Sequence, residues 1–271
     1  MRGQGDVTAT AREITWSLVV ATNSDEILEN CLLRSEEVSL AKEILMQRNA
    51  RNASTAYNAG LNESTGDVIV FAHQDIFLPK GWAKKLYKVI RGLTVDDPNW
   101  GVAGVYGVTA CGQSAGYIYS SGLRRFVGEP FYEPIQVRCL DEMLLILRRS
   151  SGLRFDERLP GFHLYGTDIC LEAEARGLRN YVVPCFAFHN SRGINWLPLT
   201  FWQAYMHLRK KWKDRLPITT VCTKITVGCT PIMDAILRAC WSSVRHRNNL
   251  GSRVADPERF YNEHLAPQLK V

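Results

Sequence analysis

The polar segment His73–Asp75 follows directly on the apolar run Val68–Ala72. The run contains β-branched residues and is followed by the turn sequence Leu78–Trp82, a pattern typical of a buried strand. Open α/β sheets bind ligands at the carboxyl ends of their strands. A carboxylate beside imidazole and amide groups can hold a hard divalent cation and, through it, a phosphate. This segment therefore predicts an enzyme that uses a nucleotide.

The elements around this segment alternate between strands and helices. Strand–helix–strand–helix–strand is the repeating unit of a doubly wound parallel sheet. The glycine-rich segment 100–107 lacks the GK[ST] order of a phosphate loop, so no dinucleotide site is predicted there. The predicted strands are 14–21, 44–47, 68–71, 139–147 and 181–184, with a strand and turn at 100–107, and the predicted helices are 26–33, 55–61, 80–93 and 169–176.

Composition limits the class of protein. The 271 residues fit one large domain or a domain with an appendage, and 46% hydrophobic residues are ample for a core. The net charge of +6 fits a phosphate-bearing partner and equally an ordinary basic protein. The eight cysteines form no CxxC pair, which argues against a zinc ribbon or finger. We expect reduced, mostly buried thiols in a cytosolic setting.

Targeting signals are not evident in the sequence. The polar stretch Met1–Arg12 contains no apolar core of a signal peptide. Apolar runs stay well short of the ~20 residues that a membrane span needs. We therefore expect a cytoplasmic protein, either soluble or peripheral at the inner face of a membrane.

Four segments together resemble the GT-A-fold glycosyltransferases of the broad family 2 type. The resemblance spans residues 14 to 192, and where the family's DXD motif begins with aspartate this chain has His73. The four segments are the polar turn 21–25, the segment 53–60, the strand 66–75 that ends at the DXD position, and the acidic motif 166–171 that opens a helix on the acceptor side.

The resemblance implies a fold and a reaction. The fold is an open, mixed, mainly parallel Rossmann-like sheet with flanking helices over residues 13–197, followed by a basic, amphipathic helical extension over 198–271. The reaction is inverting transfer of a sugar from a nucleotide donor, UDP-linked, to a hydroxyl of a glycan or lipid-linked saccharide, as in polysaccharide biosynthesis. The implied cofactor is Mn²⁺ or Mg²⁺.

The predicted metal ligand is Asp75, and the resemblance adds His189, which lies after the acceptor-side helix. A divalent cation would stabilise the charge of the leaving diphosphate. The residues alone leave other interpretations open. Asp75 could be a solvated carboxylate or a cap of the turn at 79–81, both histidines could be packed at strand ends, and Gln74 could support its loop.

Donor-binding residues follow from the position of the nucleoside in the family, at the end of the first strand. Arg48 and Asn52 would reach the base or the phosphates from the next strand end. The full set of predicted donor-binding residues is Thr22, Asn23, Asp25, Arg48, Asn52, Asn58, His73 and Gln74.

Asp168 is the predicted general base, because inverting transfer needs a carboxylate that takes the proton of the acceptor hydroxyl. The alternative is a helix cap. Predicted acceptor-binding residues are His163 and Tyr165, which could equally be packing aromatics. Asp141 and Glu142 could also contact the acceptor sugar, or pair with Arg154 or Arg158.

The C-terminal part changes character at residues 196–198. Phe201–Arg215 interleaves aromatic and basic residues, which fits an anionic membrane surface, a phosphate-linked acceptor or a solvated helix face. Cys222–Val244 is expected to be packed or interfacial. Two rival classes stay open: a non-catalytic sugar- or nucleotide-binding module on the same fold and, below it, a nucleic-acid-binding protein. No nucleic-acid partner is expected, because the core lacks a recognisable module for it.

Overall fold

The structure is a computed structural model that describes residues 14–193, 196–228, 230–231, 233 and 251–269. The predicted polar terminus 1–12 lies outside the described residues, as does most of the predicted segment 222–244. The strands are β1 (Trp16–Thr22), β2 (Ile44–Arg48), β3 (Val68–His73), β4 (Ile76–Phe77), β5 (Trp100–Gly104), β6 (Tyr106–Val108), β7 (Ser114–Ser120), β8 (Arg125–Gly128), β9 (Ile135–Val137), β10 (Cys139–Leu140), β11 (Leu144–Arg148), β12 (Arg179–Val182), β13 (Phe188–His189), β14 (Ile218–Thr219) and β15 (Lys224–Ile225).

Helices alternate with strands in the first part of the chain, as predicted, whereas β5 to β11 follow one another without an α-helix between them. α1 begins at the cap Ser24, whose hydroxyl accepts from the Ile27 N–H, and α2 begins at Asn52, whose side chain accepts from the Thr55 N–H. The helices are α1 (Asp25–Asn30), α2 (Ala53–Glu63), α3 (Trp82–Asp96), α4 (Tyr165–Ala175), α5 (Leu199–Lys211) and α6 (Pro257–Phe260).

The central sheet has seven strands in the order β2-β1-β3-β11-β5-β12-β9. β2, β1, β3, β5 and β12 run in one direction, while β11 and β9 oppose them. A second sheet has the order β10-β6-β7-β13-β4, with β8 paired to β7, and β14 pairs with β15. The predicted open, mixed, mainly parallel sheet with flanking helices is confirmed.

Alternation along β1 sends side chains into two buried layers. Val19 packs on one face with Tyr57 of α2 and Ile169 of α4, while Leu18 packs on the other face with Leu86 of α3. Burial on both faces explains why the central strands are nearly continuous apolar runs. α5 contributes Phe201, Ala204, Tyr205 and Leu208 to the same layer as α2 and α4.

Two sequence predictions of local structure were wrong. The predicted strand 139–147 is split into β10 and β11, because the Asp141 carboxylate accepts from the Met143 N–H and turns the chain between the two sheets. α4 begins at Tyr165, four residues before the predicted start. The start of α4 is fixed by a residue distant in sequence: the Glu142 carboxyl accepts from the Leu164 and Gly166 N–H groups.

The C-terminal part of the described chain is helical in α5 and α6. The division at 197/198 stays a prediction, and the structure shows α5 packed on the central core. None of the helices in the described residues is long and apolar enough to span a bilayer. The six cysteines within the described part are free, and Cys31, Cys139, Cys170 and Cys185 among them are buried.

Candidate active site

The carboxyl ends of β1 and β3 in the central sheet lie beside the end of β13 in the second sheet. Parallel pairing of β1 with β3 sets Ala21 opposite His73, so Thr22 and Gln74 lie just beyond the paired residues. Antiparallel pairing of β13 with β4 sets His189 opposite Ile76, the residue after Asp75. Strand register thus brings His73, Asp75 and His189 to one place.

One ligand atom from each of His73, Asp75 and His189 lies within 4.8 Å of the others. Nε2 of His189 is 3.4 Å from Oδ1 of Asp75, and the centroids of the two imidazole rings are 5.9 Å apart. Two imidazole nitrogens and one carboxylate are a donor set that binds divalent transition-metal ions in proteins, and these three groups converge at a spacing that fits one such ion.

Charge around Asp75 is consistent with such a centre. Burial alone would raise the pKa of Asp75, but His189, His73 and Arg253 lower it well below its ordinary value. Burial works in the opposite direction on the histidines and lowers the pKa of His73. The pKa of His189 is raised despite its burial, because its ring faces the Asp75 carboxylate. Asp75 is therefore the fixed negative charge of the centre.

A cavity of about 490 Å³ opens beside this centre. Gln74 organises its rim: Oε1 accepts from the Thr22 hydroxyl at 2.6 Å and from the Asn23 N–H at 3.2 Å, and Nε2 donates to Oδ1 of Asn23 at 2.8 Å. The predicted donor-binding residues Thr22, Asn23, His73 and Gln74 therefore lie together. The cavity is lined by Ala21, Thr22, Asn23, Gln47, Asn49, Ala50, Tyr57, His73, Gln74, Asp75 and Phe162.

The other predicted donor-binding residues do not line this cavity. Arg48 and Asp25 pair with each other at 3.0 Å on the exposed surface. Asn52 caps α2 and donates to the Glu157 carbonyl, and Asn58 is buried against the loop at Phe155, where it both donates to and accepts from the backbone. The two asparagines hold the loop before α4 against α2.

Tyr165, a predicted acceptor-side residue, links α4 to His73, one of the three converging side chains. Its hydroxyl is 2.8 Å from Nε2 of His73 and donates to the Glu142 carbonyl at 3.1 Å. Burial raises the pKa of the Glu142 carboxyl to about 8, and the neighbouring Asp141 contributes in the same direction. Contrary to the alternative of pairing with Asp141 or Glu142, Arg158 pairs with Asp156 at 2.9 Å. His163 packs edge-on against Phe201 of α5.

Asp168, the predicted general base, lies one turn into α4 and is not a helix cap. The cap position is Leu164, in the left-handed conformation. The Asp168 side chain is 2% exposed and accepts from Nζ of Lys211 and from Nε1 of Trp212, both at 2.8 Å. Burial raises the pKa of Asp168, although Lys211 and Trp212 oppose this. Its role as a base stays a prediction.

Sequence reasoning missed several residues at the site. Gln47, Asn49, Ala50, Tyr57 and Phe162 line the cavity without having been predicted, and Phe162 is 43% exposed. Arg253 reaches Asp75 across 178 positions of sequence, with Nη2 3.2 Å from Oδ2 of Asp75. No local pattern around Arg253 indicates this contact.

The mixed sheet with flanking helices, and the convergence of His73, Asp75 and His189 at the carboxyl end of β3, are those of a GT-A glycosyltransferase fold. Residues 17–191 match the glycosyltransferase-like family, and the chain belongs to this family. Both sequence predictions, the fold and the family, are confirmed.

Comparison with solved structures shows the same fold in GalNAc-T7 and a weaker similarity to a mannosyltransferase. GalNAc-T7 with UDP, GalNAc and Mn²⁺ is 11% identical, with a TM-score of 0.50, over 94% of this chain and 57% of that chain. The mannosyltransferase PcManGT from Pyrobaculum calidifontis, with GDP-Man and Mn²⁺, is 13% identical, with a TM-score of 0.44, over 76% of this chain and 65% of that chain.

A curated relative is the ORF 6 protein of the ATP synthase subunits region of Fuscovulum blasticum. It is 33% identical over 138 residues, which make up 48% of this chain and 53% of the relative. The matched region thus spans about half the length of this curated relative.

Proposed function

We propose that this protein is an inverting, metal-dependent glycosyltransferase. It would transfer a sugar from a nucleoside diphosphate, with uridine as the nucleoside, to a hydroxyl of a glycan or lipid-linked saccharide. The observation that carries the proposal is the convergence of His73, Asp75 and His189 beside a cavity of about 490 Å³. Membership of the glycosyltransferase-like family supports it.

The donor would occupy the cavity beside β1 and β3. Thr22, Asn23 and Gln74 form a hydrogen-bonded rim that fits a nucleoside, and the centre at Asp75 faces the diphosphate. His73, Asp75 and His189 would hold Mn²⁺ or Mg²⁺, which when bound supplies Lewis-acid stabilisation of the leaving diphosphate. GalNAc-T7, which shares the fold, was solved with UDP and Mn²⁺.

The acceptor would approach from the side of α4. Asp168 is proposed as the base that takes the acceptor proton. A carboxylate has about four lone-pair positions, so its bonds to Lys211 and Trp212 leave room for a hydroxyl. Because the Asp168 side chain is nearly inaccessible, acceptor entry requires the C-terminal end of α5 to shift. Glu142, beside Tyr165, is the second carboxyl on this side.

The direct test is a thermal-shift screen of nucleotide sugars with and without Mn²⁺, because a ligand of the folded state raises the melting temperature. Stabilisation by one nucleotide sugar only in the presence of Mn²⁺ is the expected result. Transfer to saccharide acceptors is then measured by release of the nucleoside diphosphate, with EDTA as the control. Tight donor binding without turnover across acceptors would instead establish a non-catalytic binding module.

A further inference from the structure

The segment after residue 250 is fastened across the edge of the cation centre. The Gly251 N–H donates to the Gly122 carbonyl at 3.0 Å, and a Cβ atom at Gly251 would lie 1.8 Å from the Ser121 carbonyl oxygen. Only glycine can approach the backbone this closely. Three residues later, the Val254 N–H donates to Oδ1 of Asn190 at 2.7 Å, and Nδ2 of Asn190 donates back to the Val254 carbonyl at 2.8 Å.

Packing holds the far side of the same segment. Phe260 of α6 contacts the rings of Phe188 and Tyr119, each at a centroid distance of 5.7 Å. Tyr261 contacts Phe77 at 5.9 Å, and Leu265 is 1% exposed in the same cluster. Arg253 is therefore held between two anchors on the second sheet.

Within this frame, Arg253 shares the Asp75 carboxylate with the cation centre. Nη2 of Arg253 is 3.2 Å from Oδ2 of Asp75, and Nε donates to the Asn190 carbonyl at 3.2 Å. The other oxygen of Asp75, Oδ1, faces His189 at 3.4 Å. The arginine is 28% exposed at its side chain, so the guanidinium also borders solvent. Arg253 lies outside residues 17–191, the part that matches the family.

We propose that Arg253 is a donor-binding residue that opposes the cation in the absence of the donor and binds the donor diphosphate in its presence. A divalent cation and a guanidinium that share one carboxylate repel each other, so Arg253 weakens cation binding when no anion is present. A diphosphate between them attracts both, and a guanidinium binds phosphate oxygens with two parallel hydrogen bonds. Arg253 thereby couples cation binding to donor binding. This inference rests on the proposed function.

The test measures two affinities by calorimetry on the full chain: Mn²⁺ alone, and UDP at saturating Mn²⁺. With the opposing charge removed, Arg253→Gln is expected to bind Mn²⁺ alone about fivefold more tightly than wild type. The same variant is expected to bind UDP about tenfold or more weakly, because a charged hydrogen bond is lost. Arg253→Lys keeps the charge and should keep the wild-type Mn²⁺ affinity.

Arg259→Gln is the matched control, since Arg259 on α6 is exposed and pairs with Glu263, four residues further along the chain. It should leave both affinities unchanged. Equal or weaker Mn²⁺ binding by a folded Arg253→Gln protein overturns the proposal, as does unchanged UDP binding. If wild type binds no UDP at all, the proposed function fails, while the Mn²⁺ measurement still decides whether Arg253 opposes the cation.

Discussion

The hydroxyl of Tyr165 lies 2.8 Å from Nε2 of His73, and this bond joins the first residue of α4 to the end of β3. The same hydroxyl donates to the Glu142 carbonyl, so the orientation of the His73 ring depends on the chain between β10 and β11. Partners of this kind fix the orientation of metal-binding imidazoles. α4 is thus bonded directly to one of the three side chains that converge at the end of β3.

Tyr165→Phe should therefore weaken Mn²⁺ binding about 10- to 100-fold, the usual effect of losing such a partner. Calorimetric titration of Mn²⁺ checks this. Tyr205→Phe is the control, because it also removes a tyrosine hydroxyl from a buried residue. The Tyr205 hydroxyl accepts from the Thr226 N–H, and the Tyr205 ring contacts the Trp202 ring. Equal Mn²⁺ affinity of the Tyr165 and Tyr205 variants would show that the bond to His73 has no role in the centre.

Asp75→Asn should abolish Mn²⁺-supported transfer while the protein stays folded, because the centre loses its only carboxylate among the three converging ligands. Release of nucleoside diphosphate is measured with Mn²⁺ and with EDTA, and circular dichroism checks the fold. Asp214→Asn, at an exposed position after α5, is the control. Wild-type activity that persists in EDTA would contradict a metal-dependent reaction.

Asp168→Asn should reduce transfer by about 10²- to 10⁴-fold, the usual contribution of a general base, with donor and Mn²⁺ affinities near those of wild type. Asp156→Asn is a matched control, because Asp156 contacts the same Lys211 Nζ at 3.1 Å and has no predicted catalytic role. Both variants should lower the melting temperature, but only Asp168→Asn should lower the turnover number. Similar turnover in the two variants would assign Asp168 to the ion-pair network alone.

The pKa of Glu142 gives a pH dependence with a definite sign. Burial raises this pKa from 4.5 to about 8, so the folded state holds its proton more tightly than the unfolded state. Stability from this group is present below the ordinary pKa and falls as pH rises toward 8. Glu142→Gln keeps an acceptor for the start of α4 without ionising, so its melting temperature relative to wild type should increase from pH 5 to pH 8.

Differential scanning fluorimetry at pH 5, 6.5 and 8 measures this difference. Glu63→Gln, at the exposed end of α2, serves as the control and should follow the wild-type curve. Parallel curves for wild type and Glu142→Gln would show that Glu142 ionises normally in the folded protein.

Peripheral membrane contact through α5 and the residues that follow it stays a prediction. The structure shows which basic residues there are exposed and which are paired with carboxylates. Lys211 is bound to Asp156, Asp168 and Glu172, so reversing its charge would disturb the ion-pair network. Lys210 and Lys213 are exposed and available to lipids. Reversing both to Glu should weaken sedimentation with anionic vesicles by roughly fivefold or more per site, at about 1 kcal/mol for each basic residue.

The matched control reverses Lys84 and Lys88, which are exposed on α3. This control should sediment like wild type, and added salt should release the wild-type protein. Wild-type protein that stays in solution at low salt would exclude the membrane as the partner of α5.

Local patterns in the sequence were sufficient for several strands of the central sheet and for part of the site. The apolar run of β3 and the polar residues that follow it predicted a strand whose end carries Asp75, because burial on both faces leaves a readable apolar stretch. The first strand was predicted for the same reason, and α2 and α3 were predicted as helices from their own local sequence. These features depend on neighbours within a few residues.

Contacts between distant segments were decided only by the tertiary structure. Asp168 is paired with Lys211, Asn58 with the loop at Phe155, and Asp75 with Arg253, and each pair joins surfaces that meet only when the helices pack on the sheet. Residue type and spacing show that a side chain can bind a cation or accept a proton. Which partner it finds depends on the packing of separate elements, and this carries no signal in local periodicity.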